Sequence, residues 1–438
     1  MKTVLVCPPS EEFLYRKMFG LTVPPLGLAY IASVLENEGQ DVRIIDMTAQ
    51  NMNWSQFNSE ISKIKPDLVG IYCAVTRIKQ AMQAAEVAKN AGATVMLGGP
   101  YATLECKSIL ENNHQVDFVV LGEGEKTSLE LVKTLEGDGD LNQVSGVAFR
   151  KGRNIVVNPE RELIENLDSI PFPAWHLLPV DKYRMFNEAS IMTMATSRGC
   201  PYNCEFCAVP AIYNRRWRGR SPASVVDEME LIHEKYHPDA TLFIDDFFTV
   251  DHKRVKGICD EIANRKLDVL WGSLSTGTDL SYDLMVKMQK AGCFILLFGV
   301  ESGSQKILDK MGRERTLESI KRSFKYARKA GIITFANVVL GLPGETRQSI
   351  RETMELIKDV EADQAIFFRA VPYSDFSLEE LNQIERDAYK EFYGRKSYFV
   401  KHLARGIWYQ SFKRHFSYDL LVTYAKWILN LPSDVRRL

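Results

Sequence analysis

Several things are missing from this 438-residue chain, and each absence narrows what it does. No stretch approaches the ~18 apolar residues of a membrane-spanning helix. Met1-Lys2-Thr3-Val4-Leu5-Val6 reads as a short strand rather than the apolar helix of a targeting peptide. The formal net charge is −1, which leaves no global nucleic-acid signature. No G-x-G-x-x-G follows the first expected strand, and this argues against a nicotinamide dinucleotide. One C-x2-C occurs but no second, so a four-cysteine zinc ribbon is not available. Internal repeats and low-complexity tracts are absent as well. What is present suffices for sizeable cores: 45% of residues are hydrophobic, and the length suggests two domains plus an extra segment.

The most informative segment is Ser197-Arg198-Gly199-Cys200-Pro201-Tyr202-Asn203-Cys204-Glu205-Phe206-Cys207, with the spacing C-x3-C-x2-C. Three thiolates this close can hold three irons of a cubane 4Fe–4S cluster and leave the fourth iron without a protein ligand. An open metal position is where chemistry takes place. Ile191–Thr196 reads as a strand leading into this loop. Helices over about 221–235, 251–264, 281–290, 316–329 and 346–358 then alternate with strands at 241–245, 269–273, 294–298, 332–339 and 363–368. Six strands alternating with helices imply parallel pairing through right-handed crossovers.

This segment resembles the signature of radical S-adenosylmethionine (SAM) enzymes, including the aromatic Phe206 before the last cysteine. The resemblance covers about 188–370 and implies a partial (β/α)6 barrel with its site at the C-terminal strand ends. It implies that Cys200, Cys204 and Cys207 hold the cluster and that SAM is cleaved there to a 5′-deoxyadenosyl radical. Residues at the strand ends match SAM-contacting positions of the family. Asp245 and Asp246 lie where the amino group would bind, and Glu301 and Ser302 where the ribose would. Phe206, Asn337 and Gly341 of Gly341-Leu342-Pro343-Gly344-Glu345 complete the set. Arg198, Arg218 and Arg220 flank the loop and are expected near the SAM carboxylate, near neighbouring acids, or in solvent. Tyr202, Tyr213 and Tyr373 are candidate proton donors or cofactor contacts.

Residues 1–150 read as a separate unit. Short apolar strands at 3–7, 42–45, 68–72, 94–97 and 117–121, with helices between them, imply a doubly wound parallel sheet. Ligands bind such sheets at the carboxyl ends of the strands. Here those ends carry Pro8 and Pro9; Val75, Thr76 and Arg77; Gly98, Gly99, Pro100 and Tyr101; and Gly122, Glu123, Gly124 and Glu125. Pro24-Pro25-Leu26-Gly27-Leu28, Gly98-Gly99-Pro100 and Gly122–Glu125 resemble the Rossmann-like cobalamin (B12)-binding domain that precedes the radical SAM domain in a large enzyme class. These strand-end residues are the implied cobalamin contacts. The D-x-H-x-x-G motif that supplies a lower axial histidine in many cobalamin proteins is absent, and no histidine precedes His114. The implied cofactor is therefore base-off, without histidine ligation. Cys7, Cys73 and Cys106 keep open a methylthiotransferase-like alternative with a second N-terminal cluster.

Residues 151–187 read as the end of a hairpin and a proline-rich linker, and 371–438 as a helical, aromatic and basic segment: a cap on the barrel or a substrate-selecting lid. Together the resemblances imply a cobalamin-dependent radical SAM C-methyltransferase, which methylates an unactivated carbon from methylcobalamin. A radical SAM cyclase or rearrangement enzyme is the other alternative. The implied partners are SAM, an organic or protein substrate between the two domains (a glutamine side chain is one option), and an electron donor such as ferredoxin or flavodoxin. No nucleic acid and no membrane span are expected, and eight cysteines beside an oxygen-sensitive cluster point to the reducing cytoplasm.

Overall fold

The computed structural model describes residues 1–10, 19–137, 139–185, 189–312, 315–371, 374–395 and 398. The chain forms two compact units. One is built mainly from the N-terminal strand and Thr22–Tyr183, the other mainly from Arg184–Pro210 and from Arg215 onward.

In the first unit, β1 (Lys2–Cys7), β2 (Asp41–Asp46), β3 (Leu68–Tyr72), β4 (Thr94–Gly98) and β5 (Phe118–Val120) are parallel, in the order β2-β1-β3-β4-β5. The central strands β1 and β3–β5 are largely apolar and buried because helices cover the sheet, while edge strand β2 exposes Asp41 and Arg43. Val4, Val69, Val95 and Val119 are fully buried against Ala81, Ala84, Ala85 and Ala88 of helix Ile78–Asn90. Small side chains on that face let the helix approach closely. The hairpin β6 (Val147–Lys151) and β7 (Asn154–Val157) joins the same sheet, with Val147 antiparallel to Val120. The stretch expected as a linker therefore packs with this unit as far as Tyr183, whose hydroxyl donates to Asp46 Oδ2 at 3.2 Å.

The second unit contains six parallel strands: β9 (Ala189–Met194), β12 (Ala240–Phe243), β13 (Trp271–Thr276), β14 (Cys293–Glu301), β15 (Ile333–Leu340) and β16 (Gln364–Arg369). The short β8 (Arg184–Met185) pairs antiparallel with β9, and β10 (Ser197–Arg198) pairs with β11 (Arg218–Gly219). This is the curled, open sheet that the alternating pattern implies. Five of the following helices start on a side-chain cap: Ser221, Asp251, Ser281, Thr316 and Thr346 each accept a hydrogen bond from a backbone N–H of the first turn. Phe243 stacks on Trp271 with ring centres 4.9 Å apart, and Phe298 meets Phe324 at 4.9 Å, filling the space between sheet and helices.

The open edge at β16 is covered by helix Leu378–Tyr393. Phe367 N donates to Tyr389 Oη at 3.2 Å, and Ala365 exchanges hydrogen bonds with Tyr393 Oη at 2.9 and 2.8 Å. Tyrosine hydroxyls thus satisfy backbone groups that an edge strand otherwise leaves exposed. This part of the C-terminal segment is helical, as expected. Tyr373 and the lid reading of 399–438 fall outside the described residues. No helix among the described residues is long and apolar enough to cross a membrane.

Candidate functional site

The C-terminal ends of the second unit's strands surround a cavity of about 160 Å³. Cys200, Cys204 and Cys207 line it from the loop after β9. Asp246, Ser275, Thr276, Gly299, Glu301, Asn337 and Phe368 line it from successive strand ends. Cys204 is buried and the other two thiols are half-buried. Cys207 N donates to the Cys204 carbonyl at 3.0 Å, which closes a tight turn between these two cysteines. Phe206 does not line the cavity. It packs against Ile307, Met311, Leu342 and Ala370 and so anchors the loop to the barrel. Among the described residues, no three Cys, His, Asp or Glu side chains converge as for a single metal ion. Cysteines that each bind a different iron of a cluster need no such convergence. The donor set fits a cluster with a polar organic ligand: three thiols around one cavity, with Asn337 Oδ1 buried beside them and lacking a hydrogen-bond partner among the described residues.

The two adjacent aspartates play different parts. Asp246 faces the cavity and accepts from Gly199 N at 2.8 Å; burial pushes its carboxyl above the usual range. Asp245 accepts from Thr196 N, Thr196 Oγ1 and Ser197 Oγ at 2.5–2.6 Å. Arg220 lies buried and paired with the fully buried Glu228, so it is one of the flanking arginines that meets an acid.

Glu301 reaches the cavity through an irregularity at the end of β14, where the pairing register shifts between Gly299 and Glu301. Its φ of 63° is a left-handed conformation that costs a non-glycine residue about 1–3 kcal/mol and tends to mark functional sites. Ser302 lies one residue further on and is fully buried, 3.3 Å from Thr353 Oγ1. Gly341, with φ of 81°, turns the chain after β15 and donates to Glu345 Oε2 at 2.6 Å. Glu345 thereby holds the turn of the Gly341–Glu345 loop.

Sequence reasoning missed Ser275, Thr276, Phe247 and Phe368. For the first two the signal was the polar pair Ser275-Thr276, which reaches the cavity because β13 extends to Thr276. Tyr202 does line the cavity and packs edge-on against Phe247 at 5.6 Å. Tyr213 ends a short helix, Val209–Tyr213, just beyond it.

In the first unit, the expected strand-end residues gather at one end of the sheet. Arg77 is buried and donates to the Pro8 carbonyl, tying the loop after β3 to the Pro8-Pro9 turn after β1. Val75 is 60% exposed, and Thr76 lies between it and Arg77 in a single 3₁₀ turn. Gly98 ends β4, and Gly99 has φ of 107°. A Cβ on Gly99 would stand 2.8 Å from the Cys73 carbonyl, so only glycine fits before Pro100 and Tyr101 start their short helix. Gly122 N donates to Thr103 Oγ1 at 3.1 Å. Glu123 accepts from Ile164 N at 2.8 Å, Gly124 abuts Ile31, and Glu125 is buried in the first turn of helix Gly124–Glu136. Cys73 is fully buried in the apolar core, and burial pushes its thiol up to about 12.

The family comparisons agree with this arrangement. Residues 194–357 match the radical SAM superfamily model, and residues 15–132 match the B12-binding domain model. An uncharacterized methyltransferase of Pyrococcus horikoshii is 35% identical over 382 residues, which is 87% of this chain and 83% of that protein. The anaerobic magnesium-protoporphyrin IX monomethyl ester cyclase of Rubrivivax gelatinosus is 31% identical over 376 residues, covering 83% of this chain and 67% of that one. Among solved structures, the radical SAM methyltransferase TsrM of Kitasatospora setae, with cobalamin and a [4Fe-4S] cluster bound, superposes with a TM-score of 0.71. It is 20% identical over 84% of this chain and 75% of that chain, a likeness of fold. The chain belongs to the radical SAM enzyme family whose members carry a B12-binding domain.

Proposed function

We propose that this chain is a cobalamin-dependent radical SAM C-methyltransferase. The observation that carries the reading is a cavity at the barrel's strand ends, shared by Cys200, Cys204, Cys207, Asp246, Glu301 and Asn337, in a chain with a B12-binding domain. When bound, the cluster with SAM supplies a carbon-centred radical, and cobalamin supplies the methyl group. The three cysteines hold the cluster and leave an open iron for SAM. Asp246 accepts from the SAM ammonium, the Glu301 carboxylate takes a ribose hydroxyl, and Asn337 gives its unpartnered carbonyl oxygen a ligand donor. Ser302 and Gly341 shape the turns beside that pocket. Tyr202, Phe247 and Phe368 exclude water, which protects a radical from side reactions. In the B12-binding domain, Pro8 and Pro9, Val75–Arg77, Gly98–Tyr101 and Gly122–Glu125 form the cofactor face. With no histidine before His114, a bound corrinoid would be held base-off, without histidine ligation. The electron comes from a ferredoxin or flavodoxin, and the methyl acceptor is an unactivated carbon, a protein glutamine side chain being one candidate.

The test is turnover with methyl-labelled SAM under anaerobic reduction. The proposal expects label in the product, with S-adenosylhomocysteine and 5′-deoxyadenosine formed in matching amounts. Similarity to the Rubrivivax gelatinosus cyclase favours a second reading, ring formation or rearrangement; that would give deoxyadenosine without matching S-adenosylhomocysteine. The methylthiotransferase alternative needs Cys73 as a cluster ligand, and the burial that keeps its thiol protonated opposes this.

A further inference from the structure

Asp245 lies two residues past the end of β12 with 4% exposure, and both its oxygens turn back onto the junction where the chain leaves β9 for the cysteine loop. Oδ1 accepts from Thr196 N at 2.6 Å. Oδ2 accepts from Thr196 Oγ1 at 2.5 Å and from Ser197 Oγ at 2.6 Å. The other side of Thr196 is held as firmly. Its carbonyl accepts from Arg220 N at 2.9 Å and from the Arg254 guanidinium. Arg254 Nε donates to the Arg220 carbonyl at 2.7 Å, and the Arg220 guanidinium is paired with fully buried Glu228. Every polar atom of Thr196 is therefore engaged. A carboxylate accepting three short hydrogen bonds has little acceptor capacity left for a ligand. Asp246, not Asp245, lines the cavity.

We propose that Asp245 is a positioning residue for the cysteine loop and not a SAM ligand: it fixes where the chain leaves β9 and hence where Cys200 stands. This rests on the reading of Cys200, Cys204 and Cys207 as cluster ligands. Groups that orient metal ligands without touching the metal commonly govern how tightly it is held. Extended backbone sends successive side chains to opposite sides. The adjacent pair Asp245-Asp246 thus grips the loop at Thr196–Ser197 with one residue and presents the other to the ligand.

The experiment compares wild type, Asp245→Asn, Ser197→Ala and Asp239→Asn after anaerobic reconstitution. Asp239 is the control. Its Oδ2 accepts from Ser190 N at 2.8 Å at the opposite end of β9, so its loss tests strand anchoring alone. The readouts are the rate of iron release to a chelator, the EPR spectrum of the reduced cluster, SAM affinity by equilibrium dialysis, and the melting midpoint of the cluster-free protein. Asp245→Asn is expected to release iron ~10-fold faster or more, with an altered EPR spectrum and unchanged SAM affinity. Ser197→Ala, which removes one hydroxyl from an intact fold, should move iron release in the same direction by less. Asp239→Asn should lower the melting midpoint and leave iron release and EPR unchanged. Wild-type iron release in both Asp245→Asn and Ser197→Ala would overturn the proposal. So would lost SAM affinity at wild-type iron retention, which would make Asp245 a ligand. Failure of the wild type to take up iron would overturn the cluster reading itself and the clamp with it.

Discussion

Glu345 offers a sharp test of how the loop after β15 is held. It is 4% exposed, Oε2 accepts from Gly341 N at 2.6 Å and Leu342 N at 3.2 Å, and Oε1 is buried without a partner among the described residues. Burial outweighs the two backbone donors and pushes the carboxyl from 4.5 up to about 7. The folded state therefore keeps a proton that the unfolded state has already released. Its stabilising contribution is fully present below pH 4.5 and is lost as pH rises to about 7. At about 1.4 kcal/mol per pH unit, that interval amounts to about 3 kcal/mol. Glu345→Gln keeps an acceptor for the two N–H groups and removes the ionisation. Amide hydrogen exchange in peptides spanning 333–345, corrected for intrinsic rates, reads the effect directly. Between pH 4.5 and 8 the local opening constant of the wild type should rise roughly 100-fold relative to that of Glu345→Gln. Parallel pH profiles in the two proteins would refute the reasoning.

Three further outcomes are expected. Gly303→Ala places a Cβ 2.4 Å from Thr353 Cα, a backbone clash with helix Arg347–Asp359; it should cost about 1–3 kcal/mol, read as a lower denaturation midpoint. Glu228→Gln leaves the Arg220 charge buried without its carboxylate; about 3–5 kcal/mol should be lost, measured by denaturation of the cluster-free protein. Cys73, with its thiol raised to about 12 in the apolar core, should resist iodoacetamide at pH 8 in the native protein, while the half-buried Cys200 and Cys207 of the cluster-free protein are alkylated, as read by peptide mass mapping.

Much of this was legible because the signals are periodic. Six apolar segments alternating with capped helices force a parallel sheet, and each of the six parallel strands overlaps its expected span; the short β8, β10 and β11 were not expected. The site followed, since residues just past parallel strands share one end of the sheet. What was not legible depends on long-range pairing. Val147–Val157 reads as a hairpin, but nothing local says that Val147 pairs with Val120 and carries the hairpin into the first unit's sheet. Asp245 and Asp246 are equivalent in sequence, and only the position of Thr196, a chain-distant partner, separates the clamp from the cavity wall. Arg77 stands among the strand-end residues, yet its side chain is buried and its guanidinium donates to the Pro8 carbonyl, a tie that no local signal foretells. Glu301 became distinctive only with its backbone conformation.

The central claim is that one cavity holds a cluster and the same chain binds cobalamin. The most direct measurement is iron, sulfide and cobalt per chain after anaerobic reconstitution with iron, sulfide and cobalamin, with an absorbance spectrum of the same sample. The account predicts about four irons and about one cobalt per chain. About eight irons and no cobalt would contradict it, pointing to a second cluster in place of the corrinoid.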